Sequence, residues 1–314
     1  MRQYLAYRAV TSLVVMFGVS VVTYGLVFLT PGNPAEVILN ERLDRPPSEE
    51  EIAAFEAESG LNEPFMVQYL DWLLDVAQGD LGTSYYSNSE VNALIFEAIP
   101  FTIELAGAGM LVALALAVPT GVLSAVHQGT WIDSTSQFGA LIGVSMPNFW
   151  LGYLLIFAFA VRIDVLPVSG AGSPTQLLLP AIALGTGMAA VLTRLIRTSM
   201  LEVLEAEYID HARSKGLRER IVIYKHALRN ALLPVVTIVG LQFGSLLSGA
   251  VVIEIVFQRP GLGTLLVDSV FDRDYPVVQG ITLLVAVAFV MTNLLVDLSY
   301  KYLDPRVSLG GETA

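Results

Sequence analysis

The sequence predicts an all-α integral membrane protein with six transmembrane helices. Mean hydropathy is +0.63 and charged residues make up 15% of the chain, against about a quarter in a typical soluble domain. Six apolar runs of about 20 residues or more follow one another, and each could cross a hydrocarbon core of about 30 Å as a helix. The two longest polar segments predict a helical domain outside the membrane and a cytoplasmic loop between the fourth and fifth helices.

The composition excludes several kinds of site. The chain has no cysteine, which rules out disulfides, thiolate metal sites and cysteine nucleophiles. Its histidines, His127, His211 and His226, lack the spacing of a zinc-binding HExxH helix, and there is no GxxxxGK[ST] phosphate loop. We therefore expect no catalytic residue, no metal, no cofactor, no enzymatic activity of the chain itself and no nucleic-acid partner.

The N-terminal transmembrane helix is predicted within residues 1–29. Arg2 and Arg8 precede an apolar run from residue 9 to residue 29. A cleaved signal peptide is the alternative, but the run is longer than a typical signal-peptide core and no A-x-A cleavage site follows it. We therefore expect an uncleaved first span.

Residues 30–98 are predicted to form an acidic helical domain outside the membrane. This segment contains 14 acidic residues and only two basic ones, Arg42 and Arg45. It therefore accounts for the whole net charge of −12, because the rest of the chain is balanced. Dense carboxylates suit a source with a high-salt medium, and a binding surface for a basic partner is the alternative.

Two helices are predicted in this acidic domain. Ser48 and Glu51 have the spacing of a capping box, for a helix that ends near Gly60. Pro64 suits the first turn of a second helix. That helix carries an apolar stripe at helical spacing, formed by Phe65, Tyr69, Trp72, Leu73 and Val76. We expect a small cap that packs on the membrane domain, with a docking platform or gate as the functional alternative.

Residues 99–314 are predicted to form a five-helix membrane core. The spans are expected at residues 99–126, 137–161, 177–196, 232–257 and 276–300. Short connections are expected at 127–136, 162–176 and 258–275. The basic residues orient these spans by the positive-inside rule: with a cytoplasmic N-terminus, 12 of the 17 Lys and Arg residues lie inside. We therefore expect a multi-pass protein of the cell (plasma or inner) membrane with both termini cytoplasmic.

The cytoplasmic loop, residues 200–231, is the only long polar segment in the back two-thirds of the chain. It predicts two short helices around Gly216, since Lys215 and Gly216 have the order usual at a helix C-terminus. On the first helix an apolar row recurs at helical spacing, formed by Leu201, Leu204, Tyr208 and Ala212. On the second, the expected apolar side is formed by Ile221, Tyr224 and Leu228.

The interior of the predicted membrane core lacks an obvious ion-coupling group. An ion-coupled transporter usually places a titratable side chain near the membrane midplane, but Glu104 and Glu254 fall near the outer ends of spans. The best polar candidates at the midplane are neutral, Asn148 and Gln242. Each either lines a translocation pathway or forms an interhelical hydrogen bond. If the protein moves solute uphill, the energy must therefore come from another subunit.

The cytoplasmic loop resembles the coupling loop, or EAA motif, of ABC-importer permeases. Asp210-His211-Ala212 stands where that motif has Glu-Ala-Ala, and Gly216 follows at the same interval. Leu233-Pro234 matches the closing Leu-Pro, although the interval from Gly216 is longer than in the general consensus. The variant resembles the dipeptide/oligopeptide/nickel branch of these permeases. Further stretches of that branch occur in its order: TPGNP (30–34), GDLGTS (79–84), MPNFWLG (146–152), EIVFQRPGLG (254–263), DYPVVQG (274–280) and DPR (304–306).

The resemblance covers nearly the whole chain and implies the B-type permease subunit of an ATP-driven importer. It implies several partners: a homologous C-type permease subunit, two cytoplasmic ATPase subunits, an extracellular substrate-binding protein and the lipid bilayer. Peptides are the implied substrate, with nickel complexes, glutathione or oligosaccharides as alternatives. A secondary transporter or channel is the alternative from another class. The residues implied in ATPase coupling are Leu204, Glu205, Glu207, Tyr208, Asp210, His211, Ala212, Arg213, Lys215 and Gly216.

Overall fold

A computed structural model describes residues 2–29, 33–43 and 45–303. These residues are mostly helical and form no strand, with one isolated antiparallel bridge between Thr83 and Glu90. Residues 30–32 of the TPGNP stretch and the DPR stretch at 304–306 lie outside the described residues.

The described helices follow the order of the predicted spans, with shorter helices between them. In the first part of the chain they are α1 (Arg2–Leu29), α2 (Pro34–Leu43), α3 (Glu49–Glu58), α4 (Phe65–Ala77), α5 (Val91–Val126), α6 (Trp131–Ser145) and α7 (Asn148–Leu155). In the second part they are α8 (Pro174–Leu204), α9 (Glu207–Ser214), α10 (Glu219–Ile221), α11 (Leu228–Ala231), α12 (Leu233–Val256), α13 (Leu262–Phe271) and α14 (Tyr275–Leu303). Two π-helical segments, Ile156–Arg162 and Val222–Ala227, follow α7 and α10.

Three helices among the described residues are long and apolar enough to cross a membrane. They are α5, α8 and the part of α14 up to Thr292. The number rises to five if each of two bent pairs forms one span. These pairs are α6 with Asn148–Arg162, and Glu219–Ala231 with the start of α12. The helical membrane architecture is therefore confirmed, whereas the count of six spans stays a prediction.

The span predicted at 137–161 is interrupted in the structure. The helix breaks between Ser145 and Asn148, and the two halves meet at 102°. Met146 and Pro147 both adopt extended backbone there, because proline disfavours the helical conformation in the residue before it. The connection predicted at 258–275 also contains the ten-residue helix α13, which the sequence analysis missed.

The described chain divides into two compact units. Unit 1 contains the described residues up to Pro100 together with Gly261–Met291, and unit 2 contains Phe101–Pro260 together with the described residues after Met291. The predicted outer domain, residues 30–98, therefore lies in unit 1. That unit also includes α1, α13 and the first part of α14.

The acidic part of unit 1 forms the helices that the sequence predicts. Ser48 caps α3 through the complete capping box with Glu51. The predicted apolar stripe of α4 is its covered face, and Tyr69 on that stripe is buried. The Tyr69 hydroxyl lies 2.8 Å from the Ser20 hydroxyl of α1, and its ring packs edge-on against Tyr24. Aromatic packing thus fastens α4 to α1.

In unit 2, α5 and α8 pack at backbone distance. A Cβ atom on Gly185 would overlap the carbonyl oxygen of Gly109, so only glycine fits at this crossing. Small residues permit such close approach between membrane helices. Gly185 therefore has a packing role, because it lets α5 and α8 approach each other closely.

The carboxylate of Asp133 joins three elements of unit 2 through four hydrogen bonds. Asp133 at the start of α6 is 6% exposed, and it accepts two hydrogen bonds of 2.8 Å from Nε and Nη2 of Arg197 in α8. It also accepts a bond of 2.6 Å from the Ser124 hydroxyl of α5 and one of 3.0 Å from the Gly129 amide. Four donors thus hold one buried charge.

We expect Asp133→Asn to destabilise the protein strongly, because it removes the countercharge of Arg197. Breaking a buried pair costs on the order of 3 kcal/mol, so the apparent melting temperature in detergent should fall clearly. The matched control is Arg45→Gln, which breaks the exposed Arg45–Glu51 pair and should change stability by less than about 1 kcal/mol. Equal melting temperatures for the two variants would contradict this account.

Candidate functional site

The polar segment after α8 forms a short helix between two backbone breaks. Ala206 is extended (φ −76°, ψ 139°), so α9 begins at Glu207. At the other end Gly216 has φ +76°, a left-handed conformation that glycine adopts without a steric penalty. The prediction of two short helices around Gly216 is confirmed. The single apolar row predicted through Leu204 and Tyr208 is wrong, because the break at Ala206 leaves Leu204 at the end of α8 and Glu205 outside both helices.

The inner face of α9 is held by two buried residues. Ile209 is fully buried and Ala212 is 8% exposed, and both belong to the core that includes Met200 of α8 and Val222. A helix of eight residues is marginal on its own, and burial of one large aliphatic side chain contributes about 1.5–3 kcal/mol. Ala212, one of the residues that the resemblance implies in ATPase coupling, faces the interior of the chain.

The outer face of α9, together with the residue that follows the helix, is polar and exposed. Its exposed residues are Glu207, Tyr208, Asp210, His211, Arg213, Ser214 and Lys215. Tyr208 is 43% exposed, and its hydroxyl accepts a hydrogen bond of 2.8 Å from Nδ2 of Asn230. This bond links α9 to α11 on the accessible side.

Arg213 links α9 to α10 by charge. Its guanidinium lies 3.1 Å from the Glu219 carboxylate and 3.3 Å from the Asp210 carboxylate. The hydrogen bond to Glu219 is the main reason why the pKa of Arg213 is raised. Only the pair with Glu219 crosses the Gly216 turn, so the turn and this ion pair together fix the angle between α9 and α10.

The second helix of the loop presents a different apolar face from the predicted one. Val222, Ile223 and Ala227 are buried, whereas Ile221 and Tyr224 are exposed. The reason is the π-helical segment Val222–Ala227, whose wider turn shifts the face expected from a spacing of 3.6 residues.

The two predicted pathway residues lie on one cavity of unit 2. Asn148, at the start of α7, and Gln242, on α12, line a cavity of about 210 Å³ together with Gly187 of α8. The remaining lining residues are apolar or small: Leu184, Met188, Val191, Leu246 and Gly249. The break at Pro147 places Asn148 at a helix N-terminus, where its side chain can face this cavity.

An ion pair between α5 and the segment after α12 was not predicted from the sequence. Arg259, 1% exposed, donates a hydrogen bond of 2.7 Å to the Glu104 carboxylate, and longer ones of 3.4 Å reach the carbonyl oxygens of Gly170 and Gln176. The nearby Glu254 is also buried and accepts a bond of 2.6 Å from Thr102. These partners are separated by about 80 or more positions in the chain, so no local pattern reveals them.

Within the described residues, no group of three or more His, Cys, Asp or Glu side chains could hold a metal ion. The candidate sites in unit 2 are a polar helical surface and a partly polar cavity.

Comparison with known proteins gives the family. The model described as "Binding-protein-dependent transport system inner membrane component" matches residues 117–309, and its N-terminal companion matches residues 1–106. The chain belongs to the family of binding-protein-dependent transport system inner membrane components. It is therefore a multi-pass protein of the inner membrane, and membership implies ATPase and substrate-binding protein partners.

Relatives are similar over nearly the full chain. The dipeptide transport system permease protein DppB of Alkalihalophilus pseudofirmus is 41% identical, and that of Escherichia coli is 40% identical. The oligopeptide transport system permease protein AppB of Bacillus subtilis is 39% identical. In each case the match covers 98% of this chain and 99% of the relative.

Solved structures share the fold at low sequence identity. An inward-facing structure of the MetNI methionine ABC transporter gives a TM-score of 0.56 at 19% identity and covers 67% of this chain and 96% of that chain. An amino acid ABC transporter gives 0.54 at 14% identity, with coverage of 67% and 94%. The ABC permease fold expected from the loop motif is thus confirmed.

Proposed function

We propose that this chain is one of two permease subunits of an ATP-driven importer of short peptides. The observation that carries the proposal is the similarity to dipeptide and oligopeptide permeases over 98% of the chain. The second permease is a homologous C-type subunit, and the two together enclose the translocation pathway. An extracellular substrate-binding protein delivers the peptide.

In this proposal α9 is the coupling helix that docks on a cytoplasmic ATPase subunit. The exposed residues Tyr208, Asp210 and His211 offer the contact surface, and Ile209 and Ala212 transmit force to the membrane core. Helix-in-groove docking uses such a face on a rigid helix. The positive-inside rule supports a cytoplasmic loop, cytoplasmic termini and an outward-facing acidic segment at 30–98.

The cavity of Asn148 and Gln242 is proposed as part of the pathway. Neutral amides can exchange hydrogen bonds with a passing peptide backbone without binding it tightly through charge. The cavity is small, about 210 Å³, as expected if the second permease subunit supplies the opposite wall.

Reconstitution of the chain with its C-type partner, the ATPases and the binding protein tests the function. We expect proteoliposomes to accumulate a radiolabelled dipeptide only when ATP and the binding protein are both present. Nickel complexes, glutathione and oligosaccharides should compete poorly. Peptide uptake by the permease subunits without the ATPases would instead support a secondary transporter or channel.

In the same assay, Gly216→Val should abolish uptake and weaken ATPase association, whereas Gly216→Asn should retain most of both. The reason is backbone strain alone, because no atom lies within 4 Å of a Cβ placed at Gly216. The φ of +76° is unfavourable for valine but accessible to asparagine.

Gly79→Val is the control for backbone strain at a site away from the loop. Gly79, in unit 1, has φ +87°, and no atom lies within 4 Å of a Cβ placed there. This variant should associate with the ATPases normally. Normal uptake by Gly216→Val at normal expression would refute the coupling role of the turn.

Gly187→Leu should block uptake while leaving ATPase association unchanged. A Cβ at Gly187 lies 3.1 Å from Oδ1 of Asn148, so a leucine would fill the cavity and displace that amide. The control is Gly139→Leu in α6, where nothing lies within 4 Å of the added Cβ. Equal uptake by both variants would exclude the cavity from the pathway.

A further inference from the structure

Unit 1 contains a cavity large enough for a small organic ligand. Its volume is about 690 Å³, within the range of about 300–1,000 Å³ typical of small-molecule sites. Its walls come from α1, α2, α3 and α4, from the segment around the Thr83–Glu90 bridge and from the start of α14. All of its lining residues belong to unit 1.

The charges of this cavity favour a cation. Four carboxylates line it, those of Glu58, Glu63, Asp71 and Asp75, against one cation, Arg42. Within the described chain, none of these carboxylates forms an ion pair, and the guanidinium of Arg42 donates to Oδ1 of Asn88 at 2.7 Å. The cavity therefore has an excess of three negative charges that are not neutralised locally.

The aromatic lining favours an organic ammonium over a hydrated metal ion. Five rings line the cavity: Tyr24, Phe55, Trp72, Tyr85 and Tyr275. Ring faces attract ammonium groups by cation–π interaction, whereas a hard metal ion needs several converging oxygen ligands. No carboxylate or histidine group in the described residues has that convergence.

Hydrogen bonds to Asp274 hold the wall beside the rings. Asp274 accepts hydrogen bonds from the Ser84 hydroxyl at 2.5 Å and from the Tyr85 amide at 3.0 Å. Burial, and secondarily the charge of Asp274, raises the pKa of Tyr85 to about 12. The Tyr85 phenol is therefore protonated at neutral pH and can donate a hydrogen bond.

A buried amide supplies an independent indication of a ligand. Gln279 of α14 lines the cavity and is only 6% exposed, yet its side chain makes no hydrogen bond to any described residue. Its amide can therefore exchange hydrogen bonds with a molecule in the cavity. In contrast, the Gln68 amide on the same cavity donates to the carbonyl oxygens of Leu61 and Glu63.

We propose that this cavity binds the N-terminal end of an incoming peptide. The carboxylates and aromatic rings hold the free α-ammonium group, and Gln279 exchanges hydrogen bonds with the first peptide unit. This inference rests on the proposed import of peptides and adds a binding site on the outer part of the subunit, separate from the cavity of Asn148 and Gln242.

The test is equilibrium binding of radiolabelled Ala-Ala to the full chain in lipid nanodiscs, with N-acetyl-Ala-Ala as the competitor that lacks the ammonium group. We expect saturable binding of Ala-Ala that weakens as salt rises, with no competition from the acetylated form. The double variant Asp71→Asn/Asp75→Asn should weaken binding at least tenfold, and Gln279→Met should weaken it several-fold.

The matched control is Glu49→Gln/Glu50→Gln, which removes two charges from the first turn of α3 outside the cavity lining and should bind normally. Equal competition by both peptides, or equal weakening by the control, would overturn the site. Displacement of Ala-Ala by calcium at low millimolar concentration would also overturn it, in favour of a metal site.

The uptake assay separates this inference from the function on which it rests. Failure of the unmodified complex to import dipeptides would overturn the proposed function. Normal import by the unmodified complex together with absent Ala-Ala binding to the chain would overturn the cavity site alone.

Discussion

The structure of unit 2 depends on the burial of one carboxylate with all of its hydrogen-bonding needs met. Asp133 accepts hydrogen bonds from Nε and Nη2 of Arg197, from the Ser124 hydroxyl and from the Gly129 amide. A buried charge is tolerated only when it is paired and hydrogen-bonded. These bonds fix the end of α5 and the start of α6 against α8, two turns before α8 ends and the chain continues into α9. A force applied to α9 would therefore be transmitted to α5, α6 and α8, which these hydrogen bonds hold together.

Helix α9, the proposed coupling helix, combines firm attachment with an exposed surface. Ile209 and Ala212 fasten α9 to the core, while Arg213 and Tyr208 bond to residues beyond the Gly216 turn. The polar side chains on the outer face leave most of their surface accessible. Rotation of α9 about its own axis would break these contacts, so a movement of α9 would be transmitted to α8 and α12. This is the physical basis of the proposed transmission from ATPase to pathway.

The sequence predicted the features that depend on local patterns. Hydropathy indicated helical membrane segments, the Ser48–Glu51 spacing indicated the cap of α3, and the loop motif indicated the family. Features that depend on distant partners were missed or misplaced. Arg259 finds Glu104 across 155 positions, the π-helical segment rotated the buried face of the second loop helix, and Pro147 broke a run that hydropathy alone presents as one span. Asn148 and Gln242 were selected separately as midplane amides, and only the fold places them on one cavity.

The central claim, that the outer face of α9 meets the ATPase, can be tested directly because the chain has no cysteine. Single cysteines at Asp210 and His211, with Glu49→Cys as the control in the acidic segment, would be treated in the assembled complex with a short cross-linker that carries a maleimide and an amine-reactive ester. The maleimide bonds to the introduced thiol, and the ester then bonds to a lysine of a neighbouring chain. The account predicts cross-links to an ATPase subunit from Asp210→Cys and His211→Cys, altered by ATP, and none from Glu49→Cys. The absence of ATPase cross-links from both α9 positions in a complex that still imports peptide would contradict it.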